Sequence, residues 1–382
     1  MQVYFDNAAT TPLRLEVIKT ISDCLSDTFG NPSSTHTFGR KARTAVESAR
    51  KNIAKQLHAV PSEIVFTSGG TESDNMVLYS AVHGLGVKRI ISSPVEHHAV
   101  LHVAQELANQ NCTLDFVHLD AEGNIDLEHL ESLLQEKNQK TLVSLMHVNN
   151  EIGNLTDLVK VGNLCKQYEA LFHTDAVQGV GHFDLKLDTL PVDFLSASAH
   201  KFHGPKGIGI LYVKKTVPLP SMLKGGGQEK GLRAGTEAVQ NIVGMEKALA
   251  LAYNNLEHEH AHVLGLKTHF LKQLQALFPD AQTNGLSGNL NKSTYTLVNI
   301  SLPIQPAKAQ LLDFHLDLKG IACSRGSACQ SGSNKGSHVI EALSRNPKFD
   351  QWPTLRFSFS YQNTIREIDY LMDVLAEFAS EG

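Results

Sequence analysis

Lys201 stands in the stretch "SASAHKFHGPKGIG" (196–209), between His200 and His203 and just ahead of a Gly-Pro turn. A solvated lysine needs no such setting. A lysine that must lose its proton and bond covalently to an aldehyde does, because nearby cations and a desolvated site lower its pKa. Three other stretches could serve the same chemistry. "TSGGTESDN" (67–75) is a Gly-rich turn between a strand and a helix, and its N–H groups suit a phosphate. An ordinary helix cap by Thr71 or Ser73 explains that turn equally well. "VEHHAV" (95–100) offers a flat imidazole that could stack on an aromatic ring or be purely structural. "HTDAVQG" (173–179) sets Asp175 at the end of a buried strand, where a carboxylate is costly unless a cation pairs with it. A protonated pyridine nitrogen would be such a partner, with Gln178 placed to donate to a ring oxygen. Lys201 alone reads more readily as an ion-paired lysine at a domain edge. The aspartate and the phosphate-type turn tip the balance toward a Schiff base.

The elements that must position these residues follow a regular rhythm. β-rich runs at 63–68, 88–93, 113–119, 141–148, 170–176, 193–199 and 207–213 alternate with helical periodicity at 74–83, 98–109, 126–136 and 156–168. This predicts an α/β fold with a mostly parallel, helix-covered sheet, and ligands of such sheets bind beyond the carboxyl ends of the strands. Residues 239–278 read as one or two long helices leaving that domain, and 293–382 as a smaller α+β unit. The expected division is 15–255 for the large domain, with 1–14 and 256–382 forming the small one.

Composition narrows the class. The chain has 382 residues, 42% hydrophobic and 19% charged, enough for one large core and a second, smaller one. A net charge of −5 leaves no electrostatic footprint for nucleic acid. No apolar run approaches the length of a membrane span, and "MQVYFDNAATTP" has no basic signal-peptide region. Five cysteines at irregular spacing fit neither a disulfide framework nor a zinc ribbon, so a cytoplasmic protein without a metal is expected.

Ordered motifs along nearly the whole chain resemble the class V, fold-type I pyridoxal-phosphate enzymes, and within them the NifS/IscS-like cysteine desulfurases. They include "FDNAATTP" (5–12), "FGNPSSTHTFGRKAR" (29–43), "EIVFTSGGTESDN" (63–75), "EHHAVL" (96–101), "MHVNNEIG" (146–153), "FHTDAVQGVG" (172–181), "SASAHKFHGPKGIGILYV" (196–213), "GGGQEKGLRAGTE" (225–237), "SRGSACQSG" (324–332) and "LRFSFS" (355–360). The resemblance implies that Lys201 bonds to the cofactor aldehyde. It implies phosphate ligands at Gly70, Thr71, Ser198 and His200, and a ring-stacking, proton-shuttling His97. It further implies Asp175 on the ring nitrogen, and Gln178 and Asn150 near the phenolic oxygen. Asn150 would also meet the substrate, and Arg356 would clamp the carboxylate of L-cysteine. Thr236 matches a threonine given to the partner subunit's phosphate site, hence a homodimer.

Cys329, in the Gly/Ser-rich "GSACQSG", reads as an exposed and mobile thiol. In the resembled family the corresponding thiolate takes the sulfur and leaves alanine. Cys323 ends "LDLKGIA", which reads as a strand, and is expected to be half-buried, with a resolving or bystander role. The chain stops soon after "REIDYLMDVLAEF" (366–378), which leaves the acceptor open: an iron–sulfur scaffold protein, or sulfur destined for tRNA thiolation. The alternatives are a selenocysteine lyase or a transaminase of the same fold, in which Cys329 would be dispensable, and a non-catalytic relative, which the retained lysine and aspartate disfavour.

Overall fold

A computed structural model of the chain describes residues 1–136, 139–325, 336–343, 349 and 351–380. After β1 (Val3–Tyr4), seven strands build the main sheet: β2 (Ile64–Thr67), β3 (Arg89–Ser92), β4 (Thr113–Phe116), β5 (Thr141–Ser144), β6 (Leu171–Asp175), β7 (Phe194–Ser198) and β8 (Gly209–Val213). Their spatial order is β2-β8-β7-β6-β5-β3-β4, and β8 runs antiparallel to both its neighbours while the other pairings are parallel. The carboxyl ends of β2, β3, β5, β6 and β7 therefore open at one edge.

The sheet is apolar on both faces because helices cover both. Successive residues divide between two cores, as a period of two demands. Phe66, Ile91, Val143, Phe172 and Leu195 join the core that includes Val17, Ile53 and Ile242. Val65, Ile90, Leu142 and Phe194 join the core under the helices Gly70–Gly84 and His98–Ala108. Residues 239–278 form two helices, Val239–Asn254 and Leu256–Leu277.

The remaining strands are β9 (Gln282–Thr283), β10 (Leu297–Ser301), β11 (Ile321–Ala322) and β12 (Thr354–Ser358). β9, β10 and β12 form an antiparallel sheet, whereas β11 pairs in parallel with β1. Val3 and Phe5 share a core with Phe270, Phe357, Phe359 and Leu371. "LDLKGIA" departs from the expected strand. Its first part ends the helix Leu312–Leu318, Gly320 turns the chain at φ 77°, and only Ile321–Ala322 is extended. Among the described residues, no helix is long and apolar enough to cross a membrane.

Candidate active site

Lys201 follows β7 on a short 3-10 turn, Ala199–Lys201. Its Nζ donates to the carbonyls of Ala8 and Ala9 at 2.7 and 2.8 Å. Gln178 Nε2 donates to the same Ala8 carbonyl at 2.9 Å. The segment after β1 is thus drawn across the sheet edge onto the lysine. Thr11 reinforces it, giving its N–H and Oγ1 to the His200 carbonyl at 2.9 Å each. His200 Nδ1 lies 3.2 Å from Thr10 Oγ1, and burial followed by the charge of Lys201 pushes its imidazole down to about 4.

Asp175 ends β6, and its Oδ1 accepts the Val177 N–H at 2.9 Å. Burial, with the charge of Asp74 second, raises its carboxyl to about 7. His97 precedes the helix His98–Ala108, and its Nδ1 accepts the Ala99 N–H at 3.1 Å. Burial, then the charge of Lys201, lowers this imidazole to about 4, so it is neutral at physiological pH.

The Gly-rich turn after β2 faces the end of β7. A Cβ placed on Gly69 would lie 3.6 Å from Ser198 Oγ, and one on Gly70 would meet Val177 Cγ2 at 2.5 Å. Glycine thus lets the helix start hard against the Asp175 loop. Gly69 is the N-cap and offers no side chain, so neither Thr71 nor Ser73 caps this helix. Ser73 instead bonds back to Gly69 and Ile210 carbonyls, and Thr71 is exposed at the helix start.

Arg356, on β12, is 1% exposed. Nη1 donates to the Asn150 carbonyl and Nη2 to Asp6 Oδ1, both at 2.8 Å, while Nε has no hydrogen-bond partner among the described residues. Arg356 therefore meets Asn150 through the Asn150 backbone, and Asp6 occupies part of the guanidinium fork. Thr236 is exposed on the loop before the helix Val239–Asn254. Arg50 fixes this loop by two bonds to Glu229 at 2.7 and 2.8 Å, and Arg233 by its ion pair with Glu72. Burial, followed by Asp313 and Asp6, lifts the Cys323 thiol to about 12, which keeps it protonated. Cys329 lies outside the described residues.

Sequence reasoning assigned no site role to Asp6, Ala8, Ala9, Thr10 or Thr11. Their signal was the run of small and polar residues in "DNAATTP", which lacks any helical or strand periodicity.

A half-buried lysine and a buried aspartate beside a helix N-terminus at the open edge of a parallel sheet suit an aldehyde cofactor with a cationic ring and a phosphate. The residues fit pyridoxal phosphate: Asp175 is a buried acid that, among the described residues, accepts a hydrogen bond only from the Val177 backbone N–H, and a ring N–H would complete it. Residues 3–371 match the family Aminotransferase class-V, and the chain belongs to that family of pyridoxal-phosphate enzymes. A cysteine desulfurase IscS of Dictyoglomus turgidum is 41% identical over 376 residues, covering 98% of this chain and 93% of its own. The solved structure of a NifS-like protein is 35% identical with a TM-score of 0.90, each chain fully covered. SspA, solved in complex with cysteine, is 32% identical with a TM-score of 0.81 over 95% of this chain and all of its own.

Proposed function

We infer that this chain is a pyridoxal-phosphate-dependent cysteine desulfurase, which converts L-cysteine to L-alanine and keeps the sulfur as a persulfide on Cys329. The observation that carries the reading is the convergence of Lys201, Asp175 and the Gly69–Gly70 turn at one sheet edge. The cysteine bound to the related SspA supports the substrate. We assign 15–255 to the domain that holds the cofactor, and 1–14 with 256–382 to the one that carries Cys329.

Bound at this edge, pyridoxal phosphate supplies an electron sink for charge developing on the substrate carbon. Gly70, Thr71, Ser198 and His200 hold its phosphate, joined by Thr236 from the partner of a homodimer. Lys201 would hold its aldehyde, and the Ala8 and Ala9 carbonyls fix the lysine amine in place. Asp175 would keep the ring nitrogen protonated, and Gln178 and Asn150 would serve the phenolic oxygen. His97, neutral at working pH, is the aromatic neighbour and carries protons. Arg356 binds the substrate carboxylate.

The Cys329 thiolate attacks the sulfur of cysteine. An S–S bond forms as the Cβ–S bond breaks, and the electron pair passes to carbon, which gains a proton and becomes the alanine methyl group. Cys323 is the poorer nucleophile, since its half-buried thiol is pushed up and stays protonated. The sulfur then passes to an acceptor protein in the cytoplasm, such as an iron–sulfur scaffold.

Alanine and sulfide released from L-cysteine under a thiol reductant test this reading. Wild type yields both, and Cys329→Ser yields little of either and no persulfide by peptide mass mapping. Undiminished turnover in Cys329→Ser would move the chain to the selenocysteine lyase or transaminase chemistry, in which this cysteine is dispensable.

A further inference from the structure

On the sheet face under the helix Gly70–Gly84, Val65, Ile90, Leu142 and Phe194 are apolar, as a doubly covered sheet requires. Two residues further along their strands the pattern breaks. Ser92, Ser144 and Ser196 take the place of apolar residues, and His173 joins them from β6, all fully buried. Strand register puts Ser144 beside His173, and Ser196 beside Asp175. His173 is clamped between two hydroxyls, with Nδ1 2.8 Å from Ser144 Oγ and Nε2 3.1 Å from Ser196 Oγ.

Asp74 enters this layer from the helix above. It is 1% exposed, and its Oδ1 lies 3.5 Å from His173 Nε2 without a hydrogen-bond partner among the described residues. Ser196 stands close enough to stabilise its charged form. An acid in such a layer is expensive, and an apolar residue of its size would pack at lower cost.

We propose that Asp74 is a positioning residue for the cofactor: acting across Ser196, its charge makes Asp175 a stronger proton acceptor toward the ring nitrogen. This rests on the assignment of Asp175 given above. A buried negative charge opposes ionisation of an acid beside it, so a charged Asp74 makes Asp175 more basic. Burial lifts the Asp74 carboxyl to about 7, and at Asp175 the charge of Asp74 adds to the effect of burial. Among the other titratable groups around the pair, His173 and Lys201 each lower Asp175 by less than Asp74 raises it. Burial holds His173 neutral, at about 4. Glu96 is a third buried acid, pushed well above the ordinary carboxylate range by burial. Lys201 lowers Asp175 from the cofactor side, and Glu72, on the same helix as Asp74, is paired with Arg233.

The sign follows. With the Asp74 charge removed, Asp175 ionises at lower pH and holds a ring N–H less firmly. Titrating cofactor-free protein with pyridoxal phosphate over a pH series, read by absorbance, measures both effects. In Asp74→Asn the acid limb of the affinity profile moves down by about 0.5–1 pH unit, and affinity at about pH 8 falls roughly three- to tenfold. Ser196→Ala, which favours the neutral form of Asp74, shifts both in the same direction by less. A folded Asp74→Asn protein with an unchanged limb and affinity overturns the proposal. If that variant does not fold, an unchanged profile in Ser196→Ala overturns it instead. Asp175→Asn separates the two readings: wild-type affinity in that variant removes the assignment of Asp175 itself, whereas lost affinity there with none lost in Asp74→Asn removes only the role of Asp74.

Discussion

Arg356 illustrates how the setting of a single residue adds to what its type implies. The resemblance carried by "LRFSFS" implies that its arginine clamps a carboxylate by a bidentate pair, and the structure places Arg356 in the middle of β12. The structure sets Asp6 against Nη2 and the Asn150 carbonyl against Nη1, with Ser324 Oγ also donating to Asp6 Oδ1 at 2.7 Å. Nε, without a partner among the described residues, and the shared Nη2 are open to a substrate carboxylate. Asp6 thus keeps the guanidinium fixed, and the substrate must share it. Arg356→Ala is expected to raise KM for cysteine about tenfold or more with a smaller change in kcat, because the contact exists in ground and transition states alike. Steady-state kinetics decide it. An unchanged KM would place the clamp elsewhere, and Arg233, held by Glu72 at 2.7 Å, would have to break an ion pair to take over.

At the level of elements, the strands were readable because their alternation feeds two separate apolar cores, Val65 and Phe66 on opposite faces being typical. What could not be read was long-range: nothing local in "FDNAATTP" reveals that it crosses to Lys201, since its partners lie some 190 residues away in "SASAHK". The cap expected from Thr71 or Ser73 failed for a steric reason. The turn must pass against Val177, so glycines occupy the entry and leave no side chain to cap with. This gives two glycine substitutions of opposite sign. Gly70→Ala forces a Cβ to within 2.5 Å of Val177 Cγ2 and should cost stability and weaken cofactor retention. A cost of about 1–3 kcal/mol is usual for overpacking. Gly265→Ala sits inside the helix Leu256–Leu277 with open space around its Cβ and should stabilise by about 0.5–1 kcal/mol. Thermal unfolding of both cofactor-free proteins distinguishes them, and a stabilising Gly70→Ala would refute the close-approach account.

For the whole molecule, the question is whether one chain completes its own site. Thr236 is exposed, and its loop is anchored at Glu229 and Arg233 to the strand and helix that begin the chain's own glycine turn. Such anchoring fixes the loop while presenting its outer side to a neighbour. In a twofold dimer the contact would be reciprocal, each chain giving Thr236 to the other's phosphate site. The protein should therefore sediment at twice its chain mass. Pairing Lys201→Ala with Thr236→Val in one preparation tests the exchange directly. If Thr236 acts across the interface, the mixed dimer contains one site with both lesions and one with neither, so tight cofactor binding and alanine production return at one site per dimer. If Thr236 serves its own chain, every site carries one lesion and neither returns. Tagging the two chains differently isolates the mixed dimer, and cofactor stoichiometry by absorbance reads the outcome without relying on turnover. A mixed dimer no better than its parents would show that the loop does not reach across.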